Sequence, residues 1–87
     1  MHYGEVTVEI KLQELLIAAR RALARMNSQD HSVGGVVDRV GALRYAEGTL
    51  VGFLDALVLT DPLAAQTVAP SVDGFISEAI AARILLD

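Results

Sequence analysis

The chain has 87 residues, of which 53% are apolar and 21% charged, with a net charge of −4 and no cysteine. That length makes a single domain, 1–87, near the lower limit for unaided folding, and the lack of cysteine excludes a disulfide framework and thiolate chemistry. Residues 1–47 carry six basic and six acidic groups while 48–87 set Arg83 against five acids, so nucleic acid is not the expected partner, and no uncharged apolar run reaches the 18 residues of a membrane span, which points to a cytoplasmic protein.

Apolar residues at Val8, Leu12, Leu15, Ala19, Ala22 and Met26 alternate at intervals of four and three. This spacing predicts a helix over about 7–27, with Thr7 as its cap and Asn27 at its end. The beginning of the segment also alternates residue by residue, with Val6, Val8, Ile10 and Leu12 against Thr7, Glu9 and Lys11, as a half-buried strand does. Residues 3–11 therefore read either as helix or as a short N-terminal strand.

The polar stretch Asn27–Ser32 has the length and composition of a turn between antiparallel helices. Ser32 can cap a second helix over about 33–60, which Asp61-Pro62 stops because the residue before proline is driven out of the helical region. Asp61 and Pro62 suit the start of a short helical turn through Val68, Pro70 reads as a break, and Ser71 as the cap of a last helix over about 72–86. Val72, Ile76, Ala79 and Ile80 would form the inner face of that helix, with Asp73 near its positive end. The fold class is all-α: a small antiparallel helical hairpin or bundle.

Projected at 100° per residue, the second helix has two faces suited to contact. One is a seam of Val36, Val40, Leu43, Glu47, Leu50, Leu54 and Leu57, expected to meet the first helix. On nearly the opposite side fall Gly34, Gly41, Gly48, Gly52 and Ala56, with Tyr45 among them. Each interior glycine costs about 1 kcal/mol relative to alanine, so close packing of another helix is expected to compensate. Gly41, Tyr45, Gly48, Gly52 and Ala56 are accordingly the candidate self-association surface. The alternative is that these glycines admit another segment of the same chain. Glu47 stands out because a carboxylate in a leucine seam is costly to bury unpaired. Its expected partner is Lys11 or Arg44, or a cation on an associating protein, and in the last case it belongs to the interface.

Arg20, Arg21 and Arg25 complement the negative end of the first helix. Together with Arg39, Arg44 and Tyr45 they are also a candidate site for a phosphorylated or nucleotide-like anion, since guanidinium forks suit phosphate and a tyrosine ring stacks on a base. The "GGVVDRVG" stretch from Gly34 lacks the following Lys-Ser or Lys-Thr of a phosphate-binding loop. His2 and Asp30-His31 have no metal-ligand spacing, and the adjacent Asp30, His31 and Ser32 cannot orient one another as a catalytic triad. No enzymatic activity, metal or cofactor is expected.

Three functions follow in order. The first is a small non-enzymatic helical interaction protein, a regulator, inhibitor or assembly factor that binds itself through its central helix and also another protein. The second is a homo-oligomer holding a small anion between subunits. The third uses the strand alternative: the order strand, helix, helix resembles that of ribbon-helix-helix DNA-binding regulators, although Glu9 would lie on the outward face with Lys11 as its sole base.

Overall fold

The structure, a computed structural model, describes residues 3–27 and 32–85, with the side chains of residues 3–6 excepted. It contains three helices, α1 (Tyr3–Arg25), α2 (Val33–Thr60) and α3 (Pro62–Ile84), and no strand among the described residues. Each helix touches the other two, forming an elongated bundle of 51 × 18 × 15 Å. Residues 15–25 of α1 lie along 42–49 of α2, and 54–58 of α2 along 62–69 of α3. The order is therefore up, down, up.

The short N-terminal strand is not formed: α1 begins at Tyr3, and Thr7 lies within it rather than capping it. The four-three repeat of apolar residues extends the helix through the alternating segment, and Leu12, Leu16, Ala19, Ala22 and Met26 are buried on one side. Met26 and Asn27 close the helix with backbone bonds to the carbonyls of Leu23 and Ala24, at 3.1 and 3.2 Å.

The second helix has the predicted ends. Ser32 Oγ accepts from the Gly35 amide at 3.1 Å, satisfying one of the free donors of the first turn. Asp61 serves both neighbours: its amide donates to the Leu57 carbonyl at 2.7 Å, and its carboxylate accepts from the Ala64 amide at 3.2 Å.

The break expected at Pro70 is absent. Instead of a turn through Val68 and a separate helix from 72 to 86, α3 runs without interruption from Pro62 to Ile84, with Pro70 and Ser71 exposed inside it. Proline in a helix interior removes a backbone bond and costs about 3 kcal/mol. Ala64, Ala65, Val68, Val72, Phe75 and Ala79 form a single buried stripe spanning the proline, and burying each large apolar side chain contributes about 1.5–3 kcal/mol. The stripe outweighs the break. Phe75, its largest side chain, is fully buried, whereas Ile80 of the expected inner face is exposed.

Candidate functional site

The seam of α2 is buried at Leu43, Glu47, Leu50 and Leu57, with Val36, Val40 and Leu54 half-buried. It serves both neighbouring helices rather than α1 alone. Glu47 shows this directly: its carboxylate accepts from Arg83 of α3, and not from Lys11 or Arg44. Both side chains of the pair are largely buried. Glu47 projects about 40° from Leu43 toward α3, and the long stem of Arg83 reaches back along its helix to meet it. A cation within the chain therefore occupies Glu47, which does not share the exposed face of the glycines.

That opposite face is open. Among the described residues, an added Cβ at Gly34, Gly41, Gly48 or Gly52 would meet nothing within 4 Å. The glycines thus do not make room for α1 or α3, and their intramolecular explanation is overturned. Ala56 is exposed beside them, Tyr45 is 79% exposed and Leu59 86%. Val37, Val51 and Val58 add apolar area along the flank toward α3. Arg44 and Asp55 also lie on that flank, exposed and without an ion pair among the described residues.

The five arginines grouped as an anion site are dispersed. Arg21 and Arg25 border a groove of about 470 Å³ between α1 and α2, floored by Leu15, Ala18, Ala19, Ala22, Ala42 and Ala46 and closed on the far side by Tyr45 and Thr49. Short alanine side chains on both helices leave this trough. Arg20 turns toward α3 and pairs with Glu78 at 3.2 Å, Arg44 projects on the other flank of α2, and Arg39 is only 3% exposed. Nε and Nη2 of Arg39 are buried without hydrogen-bond partners among the described residues. Sequence periodicity missed this residue because an arginine at a core register position reads as polar surface.

His2, Asp30 and His31 lie outside the described residues. Among the described residues no group of His, Cys, Asp or Glu is placed to hold a metal ion, and no helix is long and apolar enough to cross a membrane. No family model, no curated protein and no solved structure matches this chain.

Proposed function

We propose that the chain is a helical interaction module that associates with a second copy through the outer face of α2, acting as a regulator or assembly factor rather than as a catalyst. The observation that carries this reading is the bare glycine flank, which weakens the helix although no other described residue approaches the position of an added Cβ there.

Gly48→Lys tests the reading. Open space around Gly48 accommodates the new side chain in the isolated molecule, and the better helix former stabilises it by several tenths of a kcal/mol. In dilute solution the melting temperature should hold or rise, while sedimentation at high concentration should show association lost. Wild-type-like association of this variant would remove α2's outer face from the interface.

The α1–α2 groove favours a second reading, binding of a small phosphorylated or nucleotide-like anion by Arg21, Arg25 and Tyr45. Inorganic phosphate or a nucleoside monophosphate should then raise the melting temperature of the wild type, and not that of Arg21→Gln/Arg25→Gln. Unchanged melting of the wild type at high ligand concentration would count against it.

A further inference from the structure

Resting on the self-association reading, we propose that the second copy lies antiparallel across α2 about a two-fold axis near Leu50, in a register fixed by reciprocal pairing of Arg44 with Asp55. The outer seam Gly41, Tyr45, Gly48, Gly52, Asp55 and Leu59 has spacings of four, three, four, three and four. This is the repeat that lets two helices interlock along a line. It is symmetric about Leu50, so an antiparallel copy faces it in self-complementary layers, as a two-fold interface requires.

Each layer matches in size or chemistry. Leu59 of either copy projects over Gly41 of the other, filling the hole left by the missing side chain. Gly48 lies against Gly52, allowing close approach of the backbones at the crossing. Tyr45 shares a layer with Asp55, a phenol donor opposite a carboxylate. A two-fold axis perpendicular to the helices keeps each flank on its own side, which places Arg44 beside Asp55 of the second copy, twice per dimer. Both residues are exposed and without an ion pair among the described residues. A parallel copy would instead place Arg44 against Arg44 and Asp55 against Asp55, which disfavours it.

Charge reversal reads the register. By sedimentation equilibrium, Arg44→Asp and Asp55→Arg should each weaken dimerisation about 10-fold or more, and Arg44→Asp/Asp55→Arg should return it to within about 3-fold of wild type, because only the double variant restores opposite charges. A dimeric wild type whose single reversals have no effect, or whose double variant is no better than the singles, would overturn the register while leaving self-association intact. A monomeric wild type would instead overturn the underlying reading. The chain has no cysteine, so Gly41→Cys/Leu59→Cys adds an independent measurement. Within one helix these positions stand about 27 Å apart, too far for a disulfide. Oxidation should give a covalent dimer in high yield, and an uncrosslinked product from a sample that sediments as a dimer would contradict the register.

Discussion

Phe75→Ala should lower stability by about 3–5 kcal/mol, the range for removing a buried aromatic side chain and leaving a cavity. Phe75 is fully buried in the stripe that carries α3 past Pro70. A chain of 87 residues has a total stability on the order of 4–13 kcal/mol, so the variant should be largely unfolded near body temperature or melt at a far lower temperature than wild type. The loss also undermines the helix around Pro70, which has no local support of its own. Urea denaturation followed by circular dichroism measures the effect, with Phe75→Leu as a milder comparison. A cost below about 1 kcal/mol, outside the range for such cavities, would mean that another contact holds the proline-containing helix together.

Arg39→Met should act in the opposite direction and raise stability. Two guanidinium nitrogens of Arg39 are buried with no hydrogen-bond partner among the described residues, and leaving such a group unsatisfied costs about 1–3 kcal/mol, more when it is charged. Methionine retains most of the apolar stem, which is the part of arginine that packs well in a core. The same urea experiment should show a higher midpoint with an unchanged slope. A lower midpoint would mean that the guanidinium is held by an acceptor and contributes to the fold.

Signals confined to a few neighbouring residues were legible in the sequence. Ser32 and Asp61 mark the ends of α2 because capping and the restriction before proline are local effects, and the structure places both caps as expected. The seam of α2 was legible as a helical stripe. Its division between two partner helices was not, since periodicity identifies a buried face without naming what buries it. Glu47 illustrates the limit: Lys11 and Arg44 were plausible by hairpin geometry and helix spacing, but the partner is Arg83, 36 residues away, and only the placement of α3 brings them together. The chemistry of Pro70 by itself predicts a break, whereas the outcome depends on a stripe extending from Ala64 to Ala79 on both sides of it. The spacing of that stripe was present in the sequence and could have indicated a continuous helix. Only part of the arginine cluster survives in space: Arg21 and Arg25, one turn apart, share the α1–α2 groove, whereas Arg20, Arg39 and Arg44 take other directions around their helices.

The glycine flank is where local preference and fold disagree most. Gly41, Gly48 and Gly52 weaken α2, and an added Cβ at each would meet nothing within 4 Å among the described residues, while Val37, Tyr45, Val51 and Leu59 around them are exposed. Natural sequences tolerate such local costs where another requirement is met, and the requirement we propose here is the close approach of a second helix. The mass of the wild-type protein in solution, measured by sedimentation equilibrium over a wide concentration range, tests this most directly. A mass rising with concentration to twice the 9.3 kDa of the chain is predicted, and a mass that stays at the single-chain value up to the solubility limit would contradict it.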